Sequence, residues 1–298
     1  MQVSGIQYNP FVQNRYKKPS FRGWERQVYK EISPRNPFIT EISHRNNTSV
    51  FRNGREIPDM IDDAIDLFRW IPFVNTHIYG CSNGAESYSM LIYTDSKYGE
   101  KILSKFLPLR AKDFDAEAIL RAKRKTLPIT SDEFYRINNF TGGNFNKYFD
   151  GKRIGIYPNI DYKNYSGMSY ISKIFDKEIS TADSWIGGRE VRLKEDYARL
   201  IQYDVANILD DYKTICPDEP SLVSARNFWP YLGLNNVRNL AKNLGKQMKK
   251  GSVLFVGDYD TSWLVNPLRK NPLDLVKLLK DNGFEPYGKT GLVFVKVT

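Results

Sequence analysis

The sequence predicts an α/β fold: a doubly wound, mostly parallel sheet that ends in an antiparallel hairpin, with a small antiparallel β/loop subdomain inserted into it. Three observations predict it. Strand-like and helix-like segments alternate from His77 to Lys123 and resume from Arg199, the rhythm of parallel βαβ units with right-handed crossovers. A glycine turn, GCSNG at Gly80–Gly84, stands where the first strand meets the first helix. Near the end of the chain, two strand candidates are separated only by Gly288, Lys289 and Thr290, a hairpin spacing.

In chain order, residues 1–40 are rich in Pro, Asn, Arg and aromatics, with a short helix expected around Trp24–Ile32. The polar stretch His44–Arg55 reads as a loop entering a helix. Pro58-Asp59 opens that helix, in which Met60, Ile61, Ala64, Ile65 and Phe68 share one face at helical spacing. A strand at His77–Tyr79 runs into the glycine turn. A helix over Glu86–Lys97 follows, with Tyr88, Leu91 and Ile92 as its apolar stripe. Phe106–Ala111 reads as the second strand and Asp115–Lys123 as the second helix.

Residues 124–190 break the rhythm. TGGNF, YFDGKR, YPNIDYKNYSG and SWIGGRE are rich in Gly, Tyr, Asn and Lys, which predicts loops and short antiparallel strands. Alternation then returns: strands at Arg199–Val205 and Ser221–Ala225, a helix from Asn235 to Met248, and a buried-type strand SVLFVG at Ser252–Gly257. A helix at Leu273–Asn282 stops at Gly283. The hairpin strands Phe284–Tyr287 and Gly291–Val297 complete the sheet.

Composition narrows the classes. A chain of 298 residues with 41% hydrophobic content can bury a sizeable core. No run approaches the roughly 18 apolar residues of a membrane span, and no signal-peptide pattern opens the chain, so a cytoplasmic protein is expected, as a monomer. Two cysteines, Cys81 and Cys216, make no disulfide framework. Two histidines, His44 and His77, without clustered ligands, predict no zinc site. The net charge of +10 is compatible with nucleic acid, anionic membrane or an acidic protein. Lys and Arg are spread along the chain without interleaved aromatics, so a solvated basic surface is expected instead.

The glycine turn carries the chemistry. Glycines there permit positive φ and close approach of backbone to a ligand. The spacing is G-x-x-x-G and not the G-x-G-x-x-G of dinucleotide folds, and Glu86 opens the helix. A pyrophosphate would be repelled by that carboxylate. S-adenosylmethionine, with no phosphate and with a positive sulfonium and ammonium, suits it better. A purely structural glycine turn is the alternative. Asp113 follows the second strand, where a ribose-binding acid belongs in a doubly wound sheet. Nearby Asp115 is expected to cap the next helix.

At this point five patches, in order over about residues 46–260, resemble the CheR family of chemotaxis-receptor methyltransferases. GCSNGAESYSM is similar to the family's A-S-T-G-E-E-P-Y-S: Gly84, Glu86, Tyr88 and Ser89 match, while Ala85 and Ser87 replace an acid and a proline. AKDFDAEAILRAK resembles A-S-D-I-D-x-x-x-L-x-x-A-R. DVANILDDY looks like the V-N-L-L segment, SLVSARNFWPYLG like D-x-I-F-C-R-N-V-x-I-Y-F, and NNTSVFR like N-x-T-x-F-F-R with Val50 for the first Phe.

The resemblance implies a seven-stranded, Rossmann-like methyltransferase sheet over 46–298, after an N-terminal extension at 1–45 and with the 124–190 subdomain inserted. It implies transfer of a methyl group from S-adenosylmethionine to glutamate side chains of a protein, an acidic helical chemoreceptor region. Asn46, Thr48 and Arg52 would line the cofactor and acceptor pocket, with Gly80 and Gly84 forming the cofactor turn. Glu86 would hold the ammonium end of the methionine moiety, Asp113 the ribose, and Asn207 and Ile208 would flank the adenine. Arg226, Asn227 and Tyr231 would follow the fourth strand, at the carboxyl edge where such sheets bind ligands, with Arg226 and Asn227 at the cofactor. A glutamate with a pKa near 4.3 is already a carboxylate at neutral pH, so the reaction needs positioning more than a base. Arg52, through a charge-assisted fork, and Tyr231, through its hydroxyl, are read as the acceptor-positioning pair.

Each residue has a plainer reading. Asn46 or Thr48 can serve as helix caps, Glu86 can favour its own helix N-terminus, Asn207 can be a turn residue, Arg52 and Arg226 surface charges, and Tyr231 packing. The chain also departs from the family: the 45 residues before Asn46 do not read as its helical domain, 124–190 is longer than its small subdomain, and G-H-S-E becomes GDYD at Gly257–Asp260. The alternatives are a related methyltransferase acting on another protein, a small molecule or RNA, and a non-catalytic S-adenosylmethionine-binding protein.

Overall fold

The computed structural model describes residues 49–52, 54–129, 131–153, 189–265 and 272–298. The helix expected at Trp24–Ile32, and Asn46 and Thr48, lie outside the described residues, as does much of the 124–190 segment. The description concerns the unit Asn47–Thr298.

Seven strands form one sheet: β1 (Asn75–Tyr79), β2 (Leu109–Asp113), β6 (Ile201–Val205), β7 (Ser221–Ala225), β8 (Val253–Phe255), β9 (Phe284–Tyr287) and β10 (Val293–Lys296). Their spatial order is β6-β2-β1-β7-β8-β10-β9. Every neighbouring pair from β6 to β8 is parallel, and β10 runs antiparallel to both β8 and β9. This is the doubly wound, mostly parallel, hairpin-ended sheet that the sequence predicts. The chain builds outward from β1 through β2 to β6, then crosses back to place β7 on the other side of β1. That reversal makes the crevice beyond the carboxyl ends of β1 and β7 the place where such sheets bind ligands.

Burial follows position. Central β1 and β7 are buried at every residue, while edge strand β6 alternates, as expected for parallel strands covered on both faces against a strand covered on one. Helix α1 (Glu56–Leu67) begins two residues before the Pro58-Asp59 start read from the sequence; Pro58 fits the first turn, where no intrahelical donor is lost. Its face of Met60, Ile61, Ala64 and Phe68 is buried. Helix α2 (Ala85–Tyr98) is buried at every residue from Ala85 to Asp95, not along a single stripe. It is enclosed because α1, the sheet and the small subdomain all pack around it. Helix α3 (Ala116–Lys123) is capped by Asp115, whose side chain accepts from Glu117 N, as expected.

The second strand begins at Leu109, later than read, because a 3-10 turn at Ser104–Phe106 precedes it. The described part of 124–190 and the residues just after it hold a three-stranded antiparallel sheet, order β3-β5-β4, made of β3 (Thr126–Ile129), β4 (Phe149–Arg153) and β5 (Arg189–Leu193). It also holds a helix that the loop reading missed, α4 (Ser131–Phe140). The ring of Phe140 lies 4.6 Å from that of Phe51, and Arg136 Nη1 donates to the Phe51 carbonyl at 3.1 Å. Asp95 of α2 joins this part to the main sheet's helices, accepting from Lys147 Nζ at 2.6 Å and the Tyr148 hydroxyl at 2.8 Å. Three further helices of seven residues or more are α5 (Leu234–Gln247), α6 (Asp258–Leu264) and α7 (Leu275–Asp281). No helix among the described residues is long and apolar enough to cross a membrane.

Candidate functional site

The turn between β1 and α2 is built for close approach. Gly80 and Gly84 take φ of +70° and +90°, the left-handed region that glycine enters without a Cβ penalty. At Gly84 a Cβ would stand 2.6 Å from the hydroxyl of Tyr203 on β6. That hydroxyl meets Ser87 Oγ at 3.0 Å, and Ser87 Oγ donates to the Gly84 carbonyl at 2.7 Å. Ser87, one of the departures from the family pattern, thus ties the first turn of α2 to β6.

Asp113 stands at the end of β2 against this turn. One carboxylate oxygen accepts from Ser82 N at 2.8 Å and the other from Asp115 N at 2.9 Å. Burial raises its pKa, and the two N–H groups work against that rise. A carboxylate has about four lone-pair sites, so Asp113 retains acceptor capacity for a hydroxyl.

Behind the turn lies a buried charge cluster. Glu86 Oε1 accepts from Ser224 Oγ at 2.5 Å, and Oε2 accepts from Arg226 Nη1 at 2.9 Å. The other arm of Arg226 reaches Glu56 Oε1 of α1 at 2.5 Å. Both glutamate side chains are 10% exposed or less and the Arg226 side chain 2%. Burial disfavours the guanidinium charge, but Glu86 and Glu56 outweigh it and raise the Arg226 pKa. Glu86, expected to hold an ammonium, has a protein partner at each oxygen in the structure. Arg226, whose plainer reading was a surface charge, is instead buried.

Two loops complete the edge. After β7, Asn227 adopts φ +62° and Tyr231 closes a 3-10 turn at Trp229–Tyr231, its ring 6.3 Å from Tyr259. After β6, Asn207 caps a short helix, Ile208–Asp211, by accepting from Leu209 N at 3.0 Å, and Ile208 is buried. That segment is clamped through Asp211, whose carboxylate accepts from Lys112 Nζ at 2.6 Å and the Tyr79 hydroxyl at 2.7 Å. Arg52, half-buried, lies in the turn just before α1, four residues ahead of Glu56. Phe51 N in the same turn donates to Ser89 Oγ of α2 at 2.8 Å.

Gly80, Gly84, Glu86, Asp113, Asn207, Ile208, Arg226, Asn227 and Tyr231 thus share the carboxyl-terminal edge of the sheet, and Arg52 precedes a helix whose Glu56 binds Arg226. Sequence reading missed Glu56, Tyr203, Asp211 and Asp260. All four act across long sequence separations, and only the acid of GDYD after a buried strand gave any signal. His77, buried in β1, is pushed down to about 3 by burial first and then by Lys112 and Arg110, so it is neutral and no base at physiological pH. Among the described residues no His/Cys/Asp/Glu group is arranged to hold a metal ion.

No protein-family model and no curated protein matches the chain. Among solved structures it is similar to the N-methyltransferase NodS from Bradyrhizobium japonicum, at 12% identity over 84% of this chain and 100% of that one, with a TM-score of 0.38. It is similar to a TehB-like SAM-dependent methyltransferase from Corynebacterium glutamicum, at 10% identity over 93% and 95%, TM-score 0.34. It is similar to the CurJ carbon methyltransferase, at 10% identity over 98% and 72%, TM-score 0.41. Likeness at this level concerns fold alone.

Proposed function

We propose that the chain binds S-adenosylmethionine at the β1–α2 edge and transfers its methyl group to glutamate carboxylates of a protein, as a CheR-like protein-glutamate methyltransferase acting on an acidic, helical chemoreceptor-type segment. The observation that carries cofactor binding is the buried excess of acid at this edge. The side chains of Glu56, Glu86, Asp113 and Asp260 are all shielded from water here; Arg226 pairs with Glu56 and Glu86 and favours the charge of Asp260, while buried Lys112 is taken up by Asp211, in a chain whose net charge is +10. Desolvated carboxylates in excess are costly unless something cationic or donating meets them. The bound cofactor supplies an electrophilic methyl group on a positive sulfonium, next to a positive ammonium.

The residues fit that group. Asp113 keeps lone pairs for ribose hydroxyls, Gly80 and Gly84 let the backbone come close, and Glu86, held in place by Ser224 and Arg226, presents charge toward the ammonium. Ile208, fixed by the Asn207 cap and the Asp211 clamp, offers an apolar wall for the base. On the acceptor side, Arg52 and Tyr231 orient the carboxylate for in-line attack, and no residue is required to remove a proton. Asn46 and Thr48 complete the pocket in this reading.

Methyl-labelled cofactor tests it. Incubation with acidic helical receptor segments should give protein-bound label that alkali releases as methanol, the signature of a carboxyl methyl ester. Label appearing in RNA or in small molecules, with none in carboxylates, would overturn the acceptor. Calorimetry showing cofactor binding with no turnover on any acceptor would overturn the enzyme.

A further inference from the structure

Three main-chain N–H groups converge on Asp260. Its Oδ2 accepts from Asn227 N at 2.6 Å and Gly257 N at 2.8 Å, and its Oδ1 from Trp229 N at 3.2 Å. The side chain is fully buried. It belongs to α6, after β8, whereas Asn227 and Trp229 belong to the loop after β7. One carboxylate therefore stitches together two loops that the sheet alone would leave independent.

The stitched loop is under constraint. Asn227 holds a left-handed φ of +62°, which persists in a non-glycine residue only when the surroundings over-determine it. Trp229 is fully buried and its indole donates to the Ala225 carbonyl at 2.6 Å. Gly257 admits no side chain, because a Cβ there would stand 2.6 Å from Asn227 Oδ1. Three donors aimed at one group demand an acceptor without hydrogens of its own. A carboxylate meets that demand; a carboxamide would turn an NH2 toward at least one N–H.

We infer that Asp260, as a carboxylate, is a positioning residue for the methyl transfer proposed above: it fixes the backbone from Asn227 to Trp229 and thereby the placement of Arg226 and Tyr231 on either side of that stretch. The inference rests on that reading for its activity arm only. Asp113 is held by β2, outside the stitched loop, and Glu86, which meets that loop only through Arg226, keeps its place on α2 and its Ser224 contact, so acceptor turnover depends on Asp260 more than cofactor binding does.

The groups that face Asp260 are few. Arg226, at the end of β7, favours its charged form, as do the three N–H groups. Asp258 and Tyr259 share its helix, and Tyr231 packs against Tyr259. Burial outweighs the favourable terms and pushes the carboxyl up to about 7. Activity and stability then move oppositely. The carboxylate that organises the loop forms as pH rises through neutrality, so turnover rises. An unfolded aspartate ionises near 3.9, so between those values the native state holds more protons, and this group's contribution to stability falls as pH rises.

The test measures kcat, both KM values and urea midpoints for the wild type and Asp260→Asn, from about pH 5.5 to about pH 9. The wild type should lose turnover roughly tenfold per unit below an apparent pKa near neutrality. Asp260→Asn should lower kcat at least about tenfold with a flat profile across neutrality, while KM for the cofactor stays within a factor of about 3. Wild-type kcat and profile in that variant would overturn the inference. An equal fall in cofactor affinity would overturn it as well, leaving only a general structural role. Should the variant fail to fold, 15N spectra of the wild-type chain decide: the amides of Asn227, Trp229 and Gly257 should titrate together near neutral pH, and amides that do not respond would refute it. Those spectra stand whether or not a carboxylate is the acceptor, which separates this failure from failure of the proposed function.

Discussion

Arg226→Met isolates what the buried cluster needs. The substitution keeps most of the side-chain volume and removes the guanidinium that contacts Glu56 and Glu86 at 2.5 and 2.9 Å. Removing one partner of a buried ion pair costs about 3–5 kcal/mol because the other charge stays desolvated without it; here two glutamates lose the same cation. In a domain of this size 1 kcal/mol moves Tm by roughly 2–4 °C, so a drop of roughly 6–20 °C is expected at pH 7.5. Urea unfolding of the wild type, Arg226→Met, and the triple variant carrying Glu56→Gln and Glu86→Gln as well provides the assay. The triple variant should regain most of the loss. A deficit below about 1 kcal/mol, or a triple variant no more stable than Arg226→Met, would refute the account of Arg226 as the neutralising cation.

Gly84→Ala places a Cβ 2.6 Å from the Tyr203 hydroxyl at φ +90°; a loss of about 1–3 kcal/mol in thermal melts is expected, with Tyr203→Phe in the same background recovering part of it. His77, held near 3 in the fold and near 6.5 when unfolded, stabilises the chain above pH 6.5 and withdraws that support as pH falls from there toward 3. Urea midpoints of His77→Gln should accordingly decline less over that range than those of the wild type. Cys81 is buried and its thiol is pushed up by burial, Asp113 and Glu86, whereas Cys216 is partly exposed. A thiol reagent should titrate one cysteine quickly and the second only on unfolding; two fast thiols would contradict the packing of the turn.

The parallel core was legible because its strands are buried on both faces and therefore read as short apolar runs. Ser221–Ala225, a parallel strand, has the same bounds in sequence and structure, and so does the antiparallel edge strand Phe284–Tyr287, which Gly283 and Gly288 delimit. Helix α4 was not legible. Its apolar residues Phe134, Ile137 and Phe140 are followed closely by Gly142 and Gly143, and what orders them lies outside the helix: Phe51 packs on Phe140, and Phe145 on Phe134 at 4.8 Å. The site divides in the same way. Turn glycines and a strand-end acid are local signals, visible as spacing. The Glu56–Arg226 pair spans 170 residues, and nothing periodic marks either partner.

The two departures inside the turn bear on whether it still suits a cofactor. Ala85 is fully buried, so the acid that the family pattern carries there would add one more desolvated carboxylate next to Glu86. At Ser87 a proline would remove the hydroxyl that joins Gly84 to Tyr203. The acids that remain are each met from within. Arg226 serves Glu56 and Glu86, and five main-chain N–H groups serve Asp113 and Asp260. Main-chain donors hold a carboxylate in place and favour its charge without contributing a full positive one. The cluster is therefore rigid yet still anionic, and the departures limit how much acid it must hold. A site of that kind receives a cation with little rearrangement, whereas the chain's overall charge of +10 bears on whatever its outer surface meets.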